Sequence, residues 1–207
     1  MHNGGLGGWK HIKRKLGSRL ADKWYLGVQG GTDSEWAFAL YLNTLQEMGH
    51  NPSAPPAAGF GPNVLRKAML RTIQLINDFI AEIQGDVVEN ENVDTRSLLN
   101  FAVTDGHSVV CTRYVSSKTD EAASLYYSSG TTWEDKSKKG EYQMDRRDKG
   151  ADIVLVASEP LTFERGMLHI PCIYDHKRLN ITRILGNSTN ELDPNNPQTN
   201  RHGPPYN

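Results

Sequence analysis

The stretch SLLNFAVTDGHSVVCTRYV (residues 97–115) holds two apolar runs, Ser97–Thr104 and His107–Val115, on either side of Asp105-Gly106. Asp-Gly between such runs is a strong hairpin signal, because a two-residue loop needs backbone in the left-handed region. The centre of the chain is therefore predicted to be an antiparallel sheet. Before it the apolar residues recur every three or four positions, and after it they alternate or run together. Helices followed by antiparallel strands predict an α+β fold.

Upstream, Trp9, Ile12, Leu16 and Leu20 predict a short amphipathic helix over 9–20 whose outer face is basic from Lys10 to Arg19. Trp36, Ala39, Leu40, Leu42 and Leu45 predict a helix over 33–48, with Thr32 or Asp33 as its N-cap. Residues 51–62 hold four prolines and read as a loop, and Pro62 opens the longest periodic segment, a helix over 62–84. The acidic stretch 86–96 reads as a loop. Downstream, Leu125–Ser128, Asp152–Ser158 and Ile170–Tyr174 read as strands, Tyr142 and Met144 as a shorter one, and 131–150 otherwise as a charged loop. Residues 1–8, with four glycines and one Asn, read as a tight turn or as a loop that lets the backbone approach something closely. Residues 186–207 carry six Asn and four Pro with almost no large apolar group, so disorder is expected there.

The 207 residues are 37% hydrophobic and 23% charged, with 24 acidic against 23 basic side chains. That length suits one domain with an appendage. The near-zero net charge argues against a nucleic-acid partner. No apolar run is long enough to span a membrane, and no signal-peptide pattern opens the sequence. Cys111 and Cys172 make no disulfide framework. The expectation is a cytoplasmic protein without cofactor or metal.

Several constellations could carry chemistry. Asn3-Gly4 offers a side-chain amide beside a glycine N–H, two donors suited to an oxyanion hole, although Asn-Gly alone is also simply a turn. Gly30-Gly31-Thr32-Asp33-Ser34-Glu35 delivers the chain to a helix start, where Asp33 could hold a ligand ammonium group. The plain alternative is helix capping. His107 and Cys111, four residues apart on a strand, lie about 13 Å apart by strand rise, too far for a nucleophile–base pair, and Cys111 reads as core. His169, Cys172 and His176 are metal-ligand types at a spacing that fits no common zinc pattern. Asn180-Ile181-Thr182 and Asn187-Ser188-Thr189 match glycosylation acceptors but lack a secretory context.

Taken in order, MHNGG (1–5), GTDSE (31–35), VTDG (103–106) and VASEP (156–160) resemble the class-II, N-terminal-nucleophile glutamine amidotransferase domain. GHNPSAPP (49–56) and TRYVSSKT (112–119) are similar to the fungal amidotransferase subunits of the cytosolic glutathione-degrading complex, which partner a metallopeptidase-like subunit. The resemblance covers 1–165 and implies a four-layer αββα sandwich, here incomplete, followed by a divergent tail over 166–207. It implies hydrolysis of a glutamine or γ-glutamyl amide by a cysteine thiolate whose own α-amine is the base. Asn3 and Gly4 would form the oxyanion hole, and Asp33, helped by Thr32, would hold the substrate ammonium.

The sequence also departs from the family pattern. There the nucleophile cysteine, the first strands and a carboxylate-binding arginine precede the Asn-Gly turn, which here is reached at residue 3. The resemblance therefore implies an N-terminally truncated chain that lacks the nucleophile. From Gly166 onward the pattern breaks, as retained intron or altered splicing would produce. A non-catalytic subunit that binds a glutamine-like ligand, or only its partner, is the alternative.

Overall fold

Asp105-Gly106 does turn the chain. In the computed structural model, which describes residues 1–135, 138, 142–146, 152–159, 168–169 and 181–185, β2 (Leu98–Thr104) and β3 (Ser108–Thr112) pair antiparallel, with Ala102 facing Cys111. β1 (His2–Gly5) pairs with the outer edge of β2, Asn3 facing Asn100, and β8 (Ile181–Leu185) pairs with β3. The sheet order is β1-β2-β3-β8.

Over His2–Gly5 the glycine-rich opening is thus a strand and neither turn nor loop, while Gly7-Gly8 do turn and the expected close backbone approach is present. Glycine disfavours strands when intrinsic preference alone decides. Here close approach decides: Gly4 has φ 136°, and a Cβ on it would lie 1.9 Å from the Leu98 carbonyl oxygen. Bare backbone lets β1 reach β2, and the ladder satisfies its polar groups.

The long periodic segments form helices as predicted: α1 (Trp9–Arg19), α3 (Asp33–Glu47) and α4 (Pro62–Ala81). Two six-residue helices carry too little periodicity to be read from the sequence. α2 (Asp22–Gly27) buries Trp24, whose ring N–H donates to Gln46 Oε1 at 2.8 Å. α5 (Gly85–Asn90) replaces the start of the loop predicted over 86–96. α3 and α4 cover one face of the first sheet and α1 packs on both helices, with Ile12, Leu16, Leu40, Ile76, Leu99 and Val110 buried in one core. Full burial of each such side chain contributes about 1.5–3 kcal/mol.

β4 (Tyr126–Asp135) runs well past the strand predicted at 125–128 and builds a second sheet with β5 (Tyr142–Arg146) and β6 (Ile153–Ala157). β7 (Leu168–His169) also pairs with β4. Polar side chains hid the extension: over 131–135 half-buried and exposed positions alternate, and Trp133 is the one large apolar residue there. β6 falls within the strand predicted over Asp152–Ser158, and its apolar run is half-buried throughout. Cys111 and Leu125, with Ala102, Val109, Tyr127 and Val156, form the apolar layer between the sheets. The described layers are therefore helices, sheet, sheet: mixed α and β with antiparallel sheets, as expected. Residues 170–174 and 186–207 lie outside the described residues.

Asp105 fastens the proline loop to the hairpin. Its carboxylate accepts N–H bonds from Phe60 (2.8 Å), Gly61 (3.1 Å), His107 (3.0 Å) and Ser108 (2.7 Å). Burial alone would raise this carboxyl, but the four donors together hold it below its ordinary range. A lowered native pKa contributes stability above the unfolded value and loses it as the pH falls through the native one. Asp105→Ala should therefore cost about 1–2 kcal/mol at pH 7, the lower end reflecting solvent screening. In denaturant titrations that difference should shrink from pH 6 toward pH 2.

Candidate functional site

Strand alternation sends neighbouring β1 side chains to opposite faces. His2 faces the helices, where its ring lies 4.4 Å from that of Phe101. Asn3 faces the second sheet, on the same side as Asn100, its partner in register. Asn3 and Gly4 are exposed, and no described residue hydrogen-bonds the Asn3 amide.

Thr32 occupies the N-cap position of α3 (φ −74°, ψ 142°) but makes no side-chain cap; Asp33, the first residue of the helix, accepts a first-turn N–H with one carboxylate oxygen only. Asp33 also reaches back to β1: Oδ2 accepts the Leu6 N–H at 2.9 Å and Oδ1 the Ser34 N–H at 2.7 Å. Glu35 ties down the preceding turn, accepting from Gln29 (2.7 Å) and Gly30 (2.8 Å). The Asp33 carboxylate at the positive end of α3 is favoured by the helix dipole. Carboxylate oxygens have further lone pairs, so Asp33 can accept from a ligand as well.

Asn3-Gly4 and Asp33 are therefore drawn to one end of the first sheet through Gly5 and Leu6. Thr32 takes a different position. It lines a cavity of about 300 Å³ between the helices and the sheet, floored by Phe38, Tyr41, Met69 and Phe101. Asn3, Gly4 and Asp33 do not line this cavity. Burial pushes the Tyr41 hydroxyl up, with the Asp105 carboxylate adding to the effect.

The other candidates do not converge. Cys111 is 4% exposed between the sheets, and burial pushes its thiol up although the N-terminal ammonium pulls the other way. His107 is exposed on the hairpin. Among the described residues no group of His, Cys, Asp and Glu could hold a metal. Cys172 and His176 lie outside the described residues, and only the backbone of His169 is described. The basic face of α1 is tied down: Lys13 sits over the rings of Trp9 (5.7 Å) and Trp36 (5.3 Å), Arg19 pairs with Glu47 at 2.7 Å, and Lys15 pairs with Glu82.

Sequence reading missed Asn100 and Arg113. Asn100 is 2% exposed and donates to the carbonyls of Ala123 (3.1 Å) and Ser124 (3.2 Å). Arg113 donates to those of Ala122 and Ala123, both at 2.9 Å. Together they anchor the segment leading into β4, behind Asn3. An amide inside LLNFAV and a guanidinium inside VVCTRYV were the available signals.

A Saccharomyces cerevisiae protein described as "Probable glutamine amidotransferase DUG3" is 52% identical over 166 residues, which is 80% of this chain and 45% of that protein. The chain belongs to the glutamine amidotransferase family. It spans less than half the length of this curated relative. A solved structure of a glutamine aminotransferase class-II domain protein from Silicibacter pomeroyi aligns with TM-score 0.49 and 23% identity, over 83% of this chain and 59% of that one. No family model matches. Among the described residues of this family member no helix is long and apolar enough to cross a membrane.

Proposed function

We propose that this chain supplies the oxyanion-binding and ammonium-binding part of a site that hydrolyses the side-chain amide of glutamine or a γ-glutamyl amide. The setting is glutathione catabolism in the cytoplasm, beside a metallopeptidase-like subunit. A thiolate attacks the amide carbon, and the tetrahedral oxyanion is held by the Asn3 amide and the Gly4 N–H. Asp33 holds the substrate α-ammonium, helped by the backbone around Thr32, whose side chain faces the helix-side cavity. The single observation that carries this reading is the Asp33 carboxylate, which gives one oxygen to the first turn of α3 at Ser34 and turns the other to Leu6, beside the Asn3-Gly4 strand. Family membership supplies the substrate class.

The base in this chemistry is the nucleophile's own α-amine. Cys111 and Cys172 are internal residues and bring no free amine, so the proposal assigns the nucleophile to a segment other than these. Residues 1–207 alone should release no ammonia from L-glutamine and no amine from a γ-glutamyl anilide. Turnover abolished by Cys111→Ala would overturn that assignment. The buried, up-shifted Cys111 also fits a second reading, a subunit that binds a glutamine-like ligand without turning it over. A longer chain carrying a cysteine-led segment ahead of Met1 turns over under the first reading and stays inert under the second.

A further inference from the structure

We infer that His2 is a positioning residue that locks the start of α3, and with it Asp33, to the strand that carries Asn3 and Gly4. The glutamine reading above gives the lock its purpose; the lock itself stands on geometry. His2 is adjacent to Asn3 but points to the opposite face, so it works from behind the site. Its Nδ1 lies 2.8 Å from Ser34 Oγ and its Nε2 lies 3.2 Å from the Leu98 carbonyl oxygen. A carbonyl can only accept, so Nε2 carries the proton; in the neutral ring Nδ1 is then an acceptor, and the Ser34 hydroxyl donates its one hydrogen to Nδ1 at 2.8 Å in preference to Asp33 Oδ1, the longer contact at 3.4 Å. The ring also packs on Phe101. One half-buried side chain therefore joins β1, β2 and the first turn of α3.

Ser34 passes the constraint on. Its N–H donates to Asp33 Oδ1, while Asp33 Oδ2 accepts from Leu6. The carboxylate is thus held from β1 by two routes, directly through Leu6 and indirectly through His2 and Ser34. α3 already buries Ala37, Ala39, Leu40 and Leu45, so the helix itself does not depend on this tie. The tie decides where the first turn sits, and a displacement of the order of 1 Å there is enough to spoil a binding geometry.

Two substitutions separate the two ring nitrogens in residues 1–207. His2→Asn keeps an acceptor where Nδ1 was; His2→Gln keeps an N–H for Leu98 and loses that acceptor. Nitrogen NMR of the parent should show the Nε2–H tautomer. Hydrogen exchange of the Leu6 amide should rise about tenfold in His2→Gln and in Ser34→Ala, no further in the double variant, and within about threefold in His2→Asn. The Ile76 amide in the core should not change. L-glutamine affinity should fall about tenfold in the same two variants. A parent that binds no glutamine but keeps this exchange pattern supports the lock and removes the glutamine reading. An Nδ1–H tautomer, an unchanged Leu6 amide, or Leu6 and Ile76 rising together would overturn the lock.

Discussion

Gly4→Ala is expected to destabilise the protein by about 3–5 kcal/mol, near the top of the range for single substitutions. Two costs coincide there. The φ of 136° is one that side-chain-bearing residues rarely adopt, and the new Cβ would fall 1.9 Å from the Leu98 carbonyl oxygen, a backbone atom that cannot swing away. β1 would have to leave β2, taking with it the pairing of Asn3 with Asn100. Gly49 provides the control. Its φ is 86°, but a Cβ there meets nothing within 4 Å, so Gly49→Ala should cost only about 1 kcal/mol. Denaturant unfolding of the two variants side by side separates backbone strain from collision. Equal losses would show that β1 is not pressed against β2 as described.

Asp33→Asn should have the largest effect on ligand binding. The amide oxygen can still accept one of the two backbone donors, Leu6 or Ser34, so stability should fall by only about 1 kcal/mol. The charge that would attract a substrate ammonium is lost outright. Charge-assisted hydrogen bonds contribute about 1.5–3 kcal/mol, so the dissociation constant for L-glutamine should rise roughly 10- to 100-fold. Asp33→Ala should bind equally poorly and be less stable than Asp33→Asn, because both backbone donors then lose their acceptor. Titration calorimetry paired with thermal unfolding reads both quantities on the same samples. A variant that loses stability while keeping its affinity would reduce Asp33 to a structural tie.

The hairpin and the three long helices were legible because hydrophobic period and turn chemistry agree at those places: Asp105-Gly106, the Leu40 and Leu45 stripe, and Pro62 at a helix start. β1 was not legible. Its sequence is HNGG, and the reason it forms a strand lies about a hundred residues away in the Leu98 carbonyl. The outer half of β4 escaped for the opposite reason, since its side chains, polar except for Trp133, show no apolar pattern. Of the candidate site, Asn3, Gly4 and Asp33 were legible only as residue types in or just after glycine turns. That Asp33 reaches back to Leu6, and that Glu35 ties the glycine turn, depends on side-chain direction, which spacing does not specify. His2 was passed over because a lone histidine at a strand start carries no pattern, and its partners Ser34 and Leu98 are far away in sequence.

The most direct test is an NMR titration of residues 1–207 with L-glutamine, following the backbone amides. A site formed by Asn3, Gly4 and Asp33 should give saturable shifts at Gly4, Leu6 and Ser34 that vanish in Asp33→Asn. No shift at those amides, or shifts confined to Phe38 and Val103 in the helix-side cavity, would contradict it.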